Sequence, residues 1–193
     1  MNKSVTLLSH FINNSTPCYG GQTNFHIHNE SSTKCGITCN SQKWSFGNHF
    51  GTHIDLPKHF DNSGRALESY SACEWIFTKP FLLDLPTPAG VLITPNETFN
   101  VIPAETDFLI IRTGFEKMRQ ERVYWENNPG IDPTLASWLR KHVKNVRAIG
   151  FDFISLTAYQ NREIGRVAHQ AFLQIAPQIC IVEDMKLQHL SSQ

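Results

Sequence analysis

An α/β domain built on a mixed β-sheet is the fold class this sequence predicts, and three observations carry the prediction. Short apolar runs closed by Pro or Gly recur along the chain, and two later segments show helical periodicity. Strand and helix signals alternate in the second half, whereas the first half reads as mostly β. The chain has 193 residues, long enough for one domain with a substantial core and short for two. No repeat, low-complexity block or linker divides it, so a single domain over residues 1–193 is expected.

In chain order, residues 15–24 concentrate Ser, Thr, Pro, Gly and Asn and should form a loop. Residues 25–28 and 36–39 alternate briefly and read as strands. Residues 81–85 form an apolar run closed by Pro86, and residues 107–112 a stronger one ending at Thr113 and Gly114; both suit buried strands. The clearest helix follows: Asp132 can cap, Pro133 takes the first helical position, and Leu135, Trp138, Leu139 and His142 recur at i, i+3, i+4, i+7. Residues 146–152 read as the next strand. A second helix is expected over residues 163–173, with Ile164, Val167, Ala168, Ala171 and Phe172 apolar and Pro177 beyond its end. Residues 178–183 read as a buried strand ending in an acid.

Composition narrows the function. Apolar residues make up 40% and charged residues 18%, and the formal net charge is zero. That balance leaves no electrostatic footprint for nucleic acid and no polybasic membrane patch, so a small-molecule substrate is the expected partner. The N-terminal apolar stretch is too short for a signal-peptide core, and no run of about 18 apolar residues occurs. Five cysteines form an odd set without a disulfide-framework spacing. Cys35 and Cys39 lack a matching second pair for a zinc knuckle. Reduced thiols and a cytoplasmic location are the expectation.

Residues 49–61 concentrate the chemistry, holding three of the nine histidines and two carboxylates. His49 and His53 lie four apart with Asp55 two further on, and imidazole nitrogen with carboxylate oxygen is a donor set for zinc and similar divalent ions. Gly51 and Pro57 exclude a long helix, so a turn or a single helical turn after a strand is expected. Asp55 has two oxygens and could bridge a second ion. His59, beyond Pro57, is placed to face an ion without binding it and to move protons. Phe50 stands where His-Glu-x-x-His requires Glu, which excludes that metalloprotease mechanism.

The pattern His49-x-Gly51-Thr52-His53-x-Asp55-x-Pro57-x-His59-Phe60 resembles the signature of the cyclase-like family of metal-dependent hydrolases, whose best-known members are bacterial kynurenine formamidase and isatin hydrolase. Other segments resemble the family in the same order. They are Leu8-Ser9-His10, Pro17-Cys18-Tyr19-Gly20-Gly21, Arg112-Thr113-Gly114, Ile149-Gly150-Phe151-Asp152 with Ser155-Leu156, Ala168-His169 and Ile181-Val182-Glu183. The resemblance spans about residues 5–188.

The resemblance implies a swivelling β/β/α fold, a single domain with a partly barrel-like mixed sheet flanked by helices. It implies hydrolysis of a small amide, an arylformamide or cyclic aryl amide, with one or two zinc or manganese ions per chain. His49, His53 and Asp55 would bind the first ion, Asp55, His169 and Glu183 a second, and His59 would be the general acid–base residue. Read without the family, His169 is a core histidine on a helix face and Glu183 an ordinary strand-terminal acid. Their separation is longer than is common in the family, which an insertion near residues 174–178 would explain, and Asp184 is the fallback ligand. Tyr19 stands where kynurenine formamidases place a substrate-contacting tryptophan and can still stack on an aryl group. Arg112 and Asp152 are read as a structural ion pair as readily as site residues. The family usually forms homodimers or homotetramers, and Phe11, Trp44 and Phe46 suit an interface or the core equally. Two other readings stay open: a metal-dependent lyase or cyclase acting on a hydroxy-acid or polyketide-like substrate, and a catalytically silent ligand-binding member.

Overall fold

The computed structural model describes residues 5–21, 25–31, 33–35 and 39–191. Five strands form the central sheet: β3 (His53–Asp55), β4 (Pro80–Asp84), β6 (Phe108–Arg112), β8 (Ala148–Phe151) and β9 (Cys180–Glu183). Their order is β3-β9-β8-β6-β4, with β3 antiparallel to β9 and the other neighbours parallel. The sheet is therefore mixed, as the alternation of signals predicts. Strands β6 and β8 are near-continuous apolar runs because a parallel sheet is covered on both faces; Leu109, Ile111, Ile149 and Phe151 are fully buried.

Two small two-stranded sheets stand apart from this one. β1 (His26–Ser31) pairs antiparallel with β2 (Ser41–Ser45), and β5 (Leu92–Ile93) pairs parallel with β7 (Gly130–Ile131). The strand expected at residues 36–39 lies mostly outside the described residues. The first half is less regular than its mostly-β reading: its strands are short and 3-10 turns fill much of the rest.

The helices are α1 (Val123–Glu126), α2 (Thr134–His142) and α3 (Arg162–Leu173). Asp132 caps α2 as expected, its Oδ1 accepting from the Thr134 amide at 2.9 Å. Leu135, Ala136 and Leu139 are fully buried, while Trp138 packs partly exposed against Phe99 and His142. Helix α3 corrects its sequence reading in one respect: the buried stripe is Gly165, Ala168, His169, Phe172 and Leu173, and Ile164 and Val167 face outward, 37% and 51% exposed. Gly165 sets that rotation. A Cβ there would lie 2.3 Å from Thr157 Oγ1, so the helix seats closely on the β8–α3 connection only with glycine.

Arg112 forks onto the Asp84 carboxylate at 2.5 and 2.8 Å. Asp152 instead accepts from the Thr113 amide and hydroxyl and from the Gly114 amide, closing the turn after β6. The pairing of Arg112 with Asp152 is thereby replaced by two separate structural contacts. Phe11, Trp44 and Phe46 are surface residues, 79%, 48% and 44% exposed. No described helix is long and apolar enough to cross a membrane.

Candidate metal centre

The centre forms where β3 runs beside β9. Their register sets His53 opposite Glu183 and Asp55 opposite Ile181, so residues 126 to 130 positions apart become neighbours. His53 and Asp55 alternate along β3 and, two residues apart, share its face. The expected turn is present on both sides of a short strand: His49 comes from a bend, His53 and Asp55 from β3, and a single helical turn of 3-10 type follows. Gly51 makes the bend, at φ +66°, a conformation that a residue with a Cβ rarely adopts. His59 closes a 3-10 turn (Pro57–His59) that starts at Pro57, as proline's fixed φ favours. His169 enters from α3, one helical turn past Gly165.

Six sequence-predicted residues thus meet: His49, His53, Asp55, His59, His169 and Glu183. Asp55 is the hub, with His49 Nδ1 2.9 Å and His53 Nε2 3.4 Å from Oδ1, and His169 Nε2 3.5 Å and His59 Nε2 3.9 Å from Oδ2. Glu183 lies 3.6 Å from His53 Nε2 through Oε2 and 3.7 Å from His169 Nε2 through Oε1. Two sets of donor atoms converge within 4.8 Å among themselves, His49 with Asp55 and His59, and His53 with Asp55 and Glu183. Geometry thus brings His59 within reach of an ion as well as of a substrate. Asp184 is excluded as the fallback by its own partners: Arg119 grips it at 2.9 and 2.7 Å, and Tyr124 Oη donates to it at 2.6 Å.

The donor set fits a divalent cation on three counts. His53 Nδ1 is 2.9 Å from the Gly51 carbonyl and His169 Nδ1 2.9 Å from the Gly165 carbonyl. A carbonyl only accepts, so each Nδ1 carries a hydrogen and each neutral ring turns its Nε2 lone pair to the centre, an arrangement typical of metal-bound imidazole. Asp55 Oδ1 is buried and accepts no well-directed hydrogen bond, despite His49 Nδ1 at 2.9 Å. Finally, Asp55 and Glu183 are 2% and 3% exposed, and buried carboxylates need compensating positive charge.

Without a cation, protons supply that charge. Burial lowers the His53 pKa, but the Asp55 and Glu183 carboxylates outweigh it and raise it to about 9. His169 is raised to about 10 against the same burial penalty, by its bonds to Asp55 and Glu183. For Asp55, burial raises the pKa, but the three imidazoles of His169, His49 and His53 hold it well below the carboxylate range. His59 behaves oppositely: burial pulls its pKa down and the attraction of Asp55 does not recover it.

The centre floors a cavity of about 310 Å³ that Pro17, Tyr19, Phe60, Ile154, Arg162 and Arg166 also line. Phe60 stacks on His169 with ring centroids 4.8 Å apart, fixing that imidazole from the side. Tyr19 packs edge-on against Tyr159 at 5.4 Å; its buried Oη makes no well-directed hydrogen bond, and burial raises its pKa to about 12 against the opposing pull of the Arg162 guanidinium beside it. The sequence reading quoted Thr52, Ser155 and Leu156 within family-like segments but gave them no role as supports. Glu183 Oε1 accepts from the Leu156 amide at 2.7 Å and the Ser155 hydroxyl at 3.3 Å. Thr52 Oγ1 donates to the Asp184 carbonyl at 2.5 Å, tying the β3 loop to the end of β9. Arg119 and Tyr124 carry no local signature and become legible only when β9 is placed beside them.

The chain resembles known proteins in sequence and, among solved structures, in fold. A kynurenine formamidase of Geobacillus thermodenitrificans is 28% identical over 184 residues, covering 95% of this chain and 83% of its own. An uncharacterized protein of Haemophilus influenzae is 29% identical over 110 residues, 55% of this chain and 78% of its own. Among solved structures, isatin hydrolase A from Labrenzia aggregata superposes with a TM-score of 0.75 at 19% identity, covering 95% of this chain and 81% of that one. The putative cyclase family model matches residues 6–158, most of the chain and all of the His49-to-His59 pattern, and the chain belongs to that family.

Proposed function

We propose that the protein is a metal-dependent hydrolase of small aryl amides. The observation that carries this reading is the convergence of four imidazoles on two buried carboxylates at the floor of an aromatic-walled cavity, with two rings anchored through Nδ1. The activities named for the similar proteins, kynurenine formamidase and isatin hydrolase, support the same class.

His49, His53 and Asp55 would hold one divalent ion, and Asp55, His169 and Glu183 a second; zinc and manganese both take such donors. A cation bound there supplies Lewis acidity, acidifying water and polarising a carbonyl. The chain's own residues do the rest. Ser155 and the Leu156 amide hold Glu183 in place, and the Gly51 and Gly165 carbonyls fix the His53 and His169 tautomers. Tyr19 and Phe60 offer faces for an aryl group and displace water from the cavity. His59 Nε2 faces the cavity, and its lowered pKa leaves the ring neutral, ready to accept a proton and hand it to the departing nitrogen. The products are a carboxylate and an amine. A small-molecule substrate and a homo-oligomeric state belong to the same proposal.

The test is a screen of zinc- and manganese-loaded protein against N-formylkynurenine, formanilide and isatin, run in heavy-oxygen water. Label in the carboxylate product supports hydrolysis. Turnover without label makes the protein a lyase or cyclase. Protein that takes up no stoichiometric metal and gains no activity on adding either ion is a binding module instead.

A further inference from the structure

The helix that delivers His169 also carries two cations into the same cavity. Arg162, Arg166 and His169 stand at i, i+4 and i+7 on α3, so they share one helix face. At 1.5 Å per residue, Arg166 lies about one turn and Arg162 about two turns from His169 along the axis. All three line the cavity, His169 buried at its floor and both arginines exposed to solvent. Arg162 is held by aromatic faces, its guanidinium carbon 4.1 Å from the Tyr159 ring centroid and 5.9 Å from that of Tyr19. Among the described residues, no carboxylate lies within ion-pair distance of either guanidinium. The other acids lining the cavity are already engaged, Asp55 and Glu183 by imidazoles and Asp184 by Arg119.

Two guanidiniums without a carboxylate partner on the approach to a reaction centre have the charge to hold an anion. Arginine is always charged, and its planar fork matches a carboxylate with two parallel hydrogen bonds. The aromatic contacts beneath Arg162 limit its freedom, so less order is lost when it binds. We propose that the substrate carries a carboxylate remote from its scissile amide, and that Arg162 and Arg166 bind that carboxylate while the aryl group lies against Tyr19. This rests on the hydrolase reading and narrows it from aryl amides in general to anionic ones.

The probes are formanilide and its meta- and para-carboxylate counterparts, with turnover and direct calorimetric binding measured on the metal-loaded protein. The expected result is a KM at least about tenfold lower for a carboxylated probe, the size of a charge-assisted contact near 1.4 kcal/mol. Higher salt should weaken that preference. Arg166→Ala and Arg162→Ala should each collapse the KM ratio, Arg166→Glu should invert it, and Arg166→Lys should restore part of it. Lys141→Ala, which removes a cation on α2 outside the cavity, should leave the ratio unchanged. The outcomes separate the two readings. Hydrolysis of formanilide with no carboxylate preference overturns the subsite and keeps the hydrolase. Arg166-dependent binding of the carboxylates without any turnover keeps the subsite and overturns the hydrolase. Neither binding nor turnover of any probe overturns both.

Discussion

At the scale of single residues, the centre places chemically identical rings in opposite surroundings. His53 and His169 are fixed through Nδ1 on backbone carbonyls and sit against two carboxylates. His59 has one carboxylate within ion-pair distance among the described residues, Asp55 at 3.9 Å, packs against the His49 ring at 4.0 Å, and is a third exposed. His59→Ala should therefore reduce kcat by about a hundredfold or more, the typical loss on deleting a general acid–base group, while metal content measured by atomic emission stays at the wild-type level. Loss of the metal instead would move His59 into the ligand set with His49 and Asp55. The raised pKa values of His53 and His169 give a second prediction. Groups whose folded pKa lies above the unfolded value of about 6.5 contribute stability that is complete below that value and is lost as pH rises through about 9 and 10. Thermal melts of metal-stripped protein should show Tm falling across that alkaline range. A cation must displace those protons, so zinc binding at pH 7.5 should release on the order of two protons per chain, read by calorimetry in buffers of different ionisation enthalpy. Zero release would mean that the rings are already neutral.

At the scale of elements, α3 determines how well the centre is built. Gly165 lets the helix approach Thr157, and that approach sets the depth of His169 one turn later. Gly165→Ala places a Cβ about a covalent radius too close, and overpacking of this kind costs about 1–3 kcal/mol. The expected result is a lowered Tm together with weaker zinc binding, since the helix must shift along the direction that carries His169. Gly47→Ala, where a Cβ meets nothing within 4 Å, is the matched control and should change neither. Legibility in the sequence followed the strength of local patterns. Helices α2 and α3 and strands β4, β6, β8 and β9 were readable because a cap, a periodic stripe or an unbroken apolar run marks each one. Strand β3 was not, for three residues reading His-Ile-Asp carry no strand signature and gain their pairing only from β9. The site divides in the same way. His49, His53, Asp55 and His59 were readable from spacing, whereas His169 and Glu183 needed the family resemblance. Arg119, Tyr124 and the supporting amide of Leu156 depend on tertiary placement alone.

At the scale of the whole molecule, the surface beside the centre is unusually aromatic. Phe25 and Phe50 are buried and stack at 5.2 Å, and Trp44 and Phe46 close on Phe25 edge-on at 5.8 Å each while staying 48% and 44% exposed. Exposed aromatic groups packed into one patch mark an association surface more often than scattered apolar residues do. Phe50 is also the residue between His49 and Gly51, so this aromatic group backs the loop that presents His49. Self-association through the patch would then brace the centre from behind. Light scattering should give a mass that is a multiple of the 22.0 kDa chain. The double substitution Trp44→Ser with Phe46→Ser removes the exposed rings without emptying the buried Phe25–Phe50 stack, so it should shift the mass toward a single chain. If bracing matters, the same variant should bind zinc more weakly through His49, and the loss should grow on dilution of the wild type as well. A wild-type protein that stays a single chain at all concentrations would sever this link and leave the patch as a support for the His49 loop alone.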